Sequence, residues 1–173
     1  MIDMGKIYQI DENLNLPELF HIHTYKNPEL KWNDGMAFST SNFPTRIFAK
    51  KSINEIYIEN KEKAFERIRT EEFNNYPSRY NCLFAIEWSE MEHWIKRLKN
   101  KNAFYQIVKL KFNSGKLIKL DDCPFDRFFP YIDDNDLADY YWNAMPICPD
   151  SLYVYLFEGD FMIKKVLKEE KGQ

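Results

Sequence analysis

Residues 104–120 read Phe104-Tyr105-Gln106-Ile107-Val108-Lys109-Leu110-Lys111-Phe112, then Asn113-Ser114-Gly115, then Lys116-Leu117-Ile118-Lys119-Leu120. Alternation puts Phe104, Gln106, Val108, Leu110 and Phe112 on one face, and Tyr105, Ile107, Lys109 and Lys111 on the other. Asn-Ser-Gly is a turn signature, so the stretch predicts an antiparallel hairpin. The end of the chain repeats the pattern: Leu152 to Phe157, Glu158-Gly159-Asp160, and Phe161 to Leu167. A doubly wound parallel sheet needs helical crossovers rather than tight turns. The prediction is therefore an α+β fold with a mainly antiparallel sheet, able to split in two, and flanking helices.

The rest of the chain supplies the other elements. Leu19 to Thr24 and Asn81 to Glu87 read as strands, and Met36 to Phe48 holds a strand broken by Pro44. Ser52 to Phe73 reads as helical, in one piece or two, with Ser52 and Glu55 as a capping box. Ser89 caps a second helix running to Asn100, whose Met91, Trp94, Ile95 and Leu98 fall at i, i+3, i+4 and i+7. Residues 133–145 form a third, capped by Asp133 or Asp134 and stopped by Pro146 and Pro149. The length fits one domain over residues 1–173, with a core in about 19–167.

Composition narrows the function classes. The 24 basic and 27 acidic residues leave a charge of −3, which excludes a broadly cationic nucleic-acid binder but not a local basic patch. Five glycines, none spaced as a dinucleotide fingerprint or P-loop, exclude the common phosphate-cradling loops. The three cysteines are far apart and form no C-x-x-C, so a reduced, cytoplasmic setting without structural zinc is expected. No apolar run is long enough to span a membrane.

Several residues could carry chemistry. His21 and His23 lie two apart on a strand and point the same way. They can line a pocket wall, donate to a ribose hydroxyl, or contribute to a metal site that lacks its remaining ligands. Arg79 follows a Pro turn at the mouth of a strand. It can fork onto phosphate, or pair with Glu66, Glu71 or Glu72. Asp133-Asp134-Asn135-Asp136 reads as a solvated helix start. The basic residues Lys96, Arg97, Lys99, Lys101, Lys109, Lys111, Lys116 and Lys119 form either a solvated face or a surface for nucleic-acid or nucleotide phosphate.

Phe20-His21-Ile22-His23, Pro77-Ser78-Arg79-Tyr80-Asn81-Cys82-Leu83-Phe84-Ala85, Tyr105 to Leu110, Tyr141-Trp142 and Leu156 to Ile163 occur in an order that resembles small bacterial members of the ADP-ribosyltransferase-like superfamily, in a group with a Pro-Ser-Arg motif. The resemblance implies two small antiparallel sheets facing a cleft for nicotinamide dinucleotide (NAD), used as a substrate. It implies ADP-ribosyl transfer or glycosidic-bond hydrolysis, in a toxin or phage-defence setting, with an unspecified macromolecular acceptor that includes nucleic acid. His21 matches the ribose-holding residue, with His23 beside it. Arg79 matches a phosphate partner, and Tyr80 or Phe84 a stacking ring. The late glutamate of the family has no counterpart at the start of the penultimate strand, where Asp150 precedes Leu152. Asp150 or Glu158 is the expected acid, and turnover is expected to be weak. The rival expectation is a non-catalytic nucleotide- or RNA-binding module.

Overall fold

The structure is a computed structural model that describes residues 1–44, 53–99 and 104–171. Six strands form one curled sheet: β1 (Ile7–Gln9), β2 (Phe20–Tyr25), β3 (Ala37–Ser39), β4 (Leu83–Ala85), β5 (Phe104–Asp121) and β6 (Tyr153–Lys171). Every pairing between these strands is antiparallel. The helices are α1 (Ile53–Glu72), α2 (Met91–Lys99), the short α3 (Cys123–Asp126) and α4 (Asp134–Trp142). The fold is α+β.

The two expected hairpins are not formed. β5 runs straight through Asn113-Ser114-Gly115, and β6 through Glu158-Gly159-Asp160. The two strands pair with each other from Phe104↔Lys171 to Asp121↔Tyr153. The turn-like residues serve another purpose. The register shifts between Phe112 and Ser114, so Asn113 forms a bulge, and Gly115 stands directly opposite Gly159. A Cβ on Gly115 would collide with the Glu158 carbonyl, and one on Gly159 with the Ser114 carbonyl. Glycine and a bulge thus bend a continuous ladder here.

β5 carries β1 and β2 on its other side, and β6 carries β3 and β4. β2 and β4 then meet, with Phe20 and Ile86 exchanging backbone hydrogen bonds of 2.9 and 2.8 Å. The sheet curls until these outer strands touch. Alternation sorts its apolar residues into two clusters. Tyr105, Ile107, Ile118, Leu120, Val154 and Leu156 pack with Phe65 and Ile68 of α1 and Leu137, Tyr141 and Trp142 of α4. Leu19, Leu83, Val108, Leu117, Phe157 and Phe161 form a second cluster from the strands.

Local signals in the helices are mostly realised. Asp133 caps α4, its Oδ1 accepting from the Asn135 and Asp136 amides at 2.9 Å. The helix ends at Trp142, three residues short of the expected limit, and Ala144 turns out of it at φ 53°. Met91 is buried, and Trp94, Ile95 and Leu98 pack against the helix-side core. Ser89 does not cap α2: it lies within a 3-10 turn at Trp88–Glu90. The Ser52 cap and Asn100 lie outside the described residues. Over its described length α1 is one helix.

The cysteine reading is corrected. Cys123 and Cys148 form a disulfide with Cα atoms 6.5 Å apart, because α3 and α4 fold the chain back on itself; Cys82 is buried and stands outside that bond. Sequence distance misled here, since 25 residues separate the partners.

Candidate active-site cleft

A polar cleft of about 680 Å³ opens over the glycine crossing. β6 contributes Glu158 and Gly159, β5 Gly115 and Lys116, and β1 Gln9. The turn after β3 contributes Ser39, Thr40 and Ser41; the end of α1 and the link to β4 contribute Arg69, Tyr76, Ser78 and Asn81. Hydroxyls and amides dominate, with one carboxylate and two cations. This donor set suits a ligand rich in hydroxyl groups.

The scaffold around these groups is fixed by hydrogen bonds. Lys116 is the cross-strand partner of Glu158, and its Nζ lies 3.2 Å from Glu158 Oε1 and donates to the Asn75 carbonyl at 2.8 Å. The Gly159 amide donates to Thr40 Oγ1 at 2.9 Å, tying the β3 turn to β6. Arg69 holds Glu66 through two bonds of 2.6 and 3.0 Å and donates to the Tyr76 carbonyl. Ser78 Oγ donates to Glu66 at 2.9 Å, and Tyr76 Oη to the Gly5 carbonyl at 3.0 Å. The α1–β4 link is thus clamped against α1 and the N-terminal segment.

Of the residues singled out from sequence, Glu158 lines this cleft. Arg79 does not. It is 2% exposed, and its guanidinium donates to Glu62 at 3.1 and 3.2 Å, Asp122 at 2.8 Å and Tyr141 at 2.6 Å. The ring of Phe125 lies 4.0 Å from its Cζ. Burial opposes the charge, but Glu62, Tyr141 and Asp122 hold it on, so its pKa stays well above the usual arginine value. The expected salt bridge to Glu66, Glu71 or Glu72 is replaced by one to Glu62, a turn earlier on α1. Turning the N–H donors held by Glu62 or Asp122 toward a phosphate would strand a buried carboxylate.

His21 and His23 do share a face, their rings 6.5 Å apart. Trp32 covers both, stacking on His23 at 3.9 Å and on His21 at 5.3 Å. His21 Nδ1–H donates to the Phe84 carbonyl at 2.7 Å and His23 Nε2–H to the Leu30 carbonyl at 2.8 Å. Burial lowers the His23 pKa. His21 and Arg79 both reach Phe84, one at its carbonyl and the other 5.1 Å from its ring, yet they do not flank a shared opening at the cleft. The Tyr80 amide donates to Ser78 Oγ, and its phenol is pushed up in pKa by burial and by Glu62 and Glu66. Asp150 is exposed, and its carbonyl accepts from Arg127 at 3.0 Å. Among the described residues, no group of three His, Cys, Asp or Glu side chains is arranged to hold a metal, and no helix is long and apolar enough to cross a membrane.

Sequence reading missed Ser39, Ser41, Arg69, Tyr76 and Asn81 as lining residues. The Ser39-Thr40-Ser41 run is visible as a hydroxyl-rich turn. Its place beside Glu158 depends on a contact across 119 residues, which no local pattern encodes.

The family described as "Protein of unknown function (DUF2441)" matches residues 12–169. The chain belongs to this family. Its matched span includes β2 to β5, β6 up to Glu169, and every residue of the cleft except Gln9. No curated protein matches the chain in sequence.

Proposed function

We propose that the protein binds a nicotinamide dinucleotide in the Glu158 cleft and cleaves its nicotinamide–ribose bond slowly, by ADP-ribosyl transfer or hydrolysis. The observation that supports this is the position of Glu158: an acid anticipated for the chemistry lines a cleft of hydroxyl and amide groups. Those groups suit ribose hydroxyls. As the glycosidic bond breaks, nicotinamide leaves with the bonding electrons and the ribose C1 becomes oxocarbenium-like. A carboxylate facing it stabilises that charge. Water, or a hydroxyl of a macromolecular acceptor, then attacks C1 and loses its proton. Lys116 moderates this role, because its ammonium neutralises part of the Glu158 charge.

A cytoplasmic location and a toxin or phage-defence role are part of the proposal. The location requires that the Cys123–Cys148 bond be compatible with a reducing compartment. The test is nicotinamide release by wild type, Asp150→Ala and Glu158→Ala at equal concentration. Glu158→Ala is expected to lower release about 100- to 1,000-fold, the scale of losing one preorganised stabilising group. Asp150→Ala is expected to match wild type. Brisk release by all three proteins would end the proposal.

The second reading is a non-catalytic binding module. The Glu158–Lys116 pair at 3.2 Å and the enclosed Arg79 favour it. It predicts dinucleotide binding with no nicotinamide released.

A further inference from the structure

A second cavity, of about 500 Å³, shares Ser39 with the first. Its walls carry Trp32, Phe38, Phe43 and Phe161. Phe38 lies 4.8 Å from Trp32 and stacks on Phe161 at 5.6 Å, and Phe43 stands edge-on to Phe161 at 5.9 Å. These rings contact one another around a volume usual for small-molecule sites.

Besides Ser39, three polar residues line the same cavity: Asn42, Asn113 and Asp160. Local structure puts each one there. Asn42 closes the 3-10 turn that Ser39 caps. Asn113 is the bulge residue, left between the pairs Phe112↔Phe161 and Ser114↔Asp160, and bulges re-aim side chains. Asp160 lies across from Ser39 on β6 and accepts from Ser114 Oγ at 3.0 Å.

Aromatic faces joined to amides and one carboxylate recognise flat rings that carry N–H donors. Stacking accepts any base, so selection must come from the polar groups. A carboxylate accepts hydrogen bonds and donates none when ionised. Guanine is the standard base that presents two neighbouring N–H donors on one edge, at N1 and the exocyclic N2. Adenine and cytosine set an acceptor nitrogen beside their amine, and uracil flanks its single N–H with carbonyl oxygens. These oppose a carboxylate. Asn42 and Asn113 can each donate to the guanine O6 or N7.

We propose that this cavity is a nucleobase site and that Asp160 makes it selective for guanine. The proposal goes beyond the reading of the Glu158 cleft and does not depend on it, since a guanine nucleotide can bind here whether or not a dinucleotide is cleaved next door.

The test is calorimetric titration of the wild-type protein with GMP, IMP, AMP, CMP, UMP and ribose 5-phosphate. GMP is expected to bind at least tenfold more tightly than each of the others. IMP is the sharpest comparison, because it keeps N1–H and lacks only the N2 amine. Asp160→Asn, checked for an unchanged melting temperature, is expected to weaken GMP at least tenfold and to erase the preference over IMP. Phe38→Leu is expected to weaken all the bases together. Equal binding of GMP and IMP, binding of ribose 5-phosphate as tight as GMP, or no nucleotide binding by wild type would overturn the proposal. So would a guanine preference that survives Asp160→Asn.

Discussion

The guanidinium of Arg79 keeps its charge in the interior because Glu62 and Asp122 share it and Phe125 lies against its face. Removing it would take the guanidinium away from two buried carboxylates. Arg79→Met should therefore lower stability by about 3–5 kcal/mol in urea unfolding, the usual cost of breaking a buried pair. A loss below about 1 kcal/mol would show that the cluster is more hydrated than its burial indicates. Among the described residues Lys61 is the other buried cation, donating to the Arg127 carbonyl at 2.9 Å beside the rings of Tyr57 and Phe125. Burial pushes its pKa down to about 8, against the pull of Asp134 and Asp122. The folded pKa is the lower one, so above pH 8 the unfolded chain binds more protons and stability rises with pH. Between pH 8 and 9.5, Lys61→Met should abolish part of that rise; parallel wild-type and mutant curves would contradict the shift. The sequence showed Arg79 as a chemically capable residue at a strand mouth. It could not show that the mouth is covered, since Asp122 and Tyr141 come from 43 and 62 residues away.

At the scale of elements, the glycine crossing is what brings Glu158 and Lys116 to the cleft. Gly115 and Gly159 adopt φ of 125° and 150°, and a Cβ at either would meet partner backbone. Gly159→Ala should cost about 3 kcal/mol or more, or prevent folding, combining backbone strain with a clash that no side-chain rotation relieves. A variant with unchanged melting temperature would mean that the strands can separate there. Most strands were legible because alternation reports which face is buried: Val108 and Leu110 face one cluster, Tyr105 and Ile107 the other. The hairpins were misread because a two-glycine crossing and a tight turn draw on the same residues. Both need small side chains and unusual φ, and only the partner strand tells them apart. Asn113 and Asp160, which look like turn residues, instead line the aromatic cavity.

For the whole molecule, the Cys123–Cys148 bond closes the segment that holds α3 and α4. A loop of this length contributes about 3–4 kcal/mol through chain entropy. Cys148→Ser should lose that amount in guanidinium unfolding under oxidising conditions and match wild type in dithiothreitol. An equal difference in both conditions would assign the loss to packing instead. The central claim is that the Glu158 cleft is where the dinucleotide binds. The measurement that reaches it most directly is a crystal structure of the protein soaked with oxidised nicotinamide dinucleotide. The account predicts density in the cleft with a ribose within hydrogen-bonding distance of Glu158, beside Ser78 and Asn81. Density seated instead on His21, His23 and Trp32, or against Asp150 with the cleft holding only solvent, would contradict it.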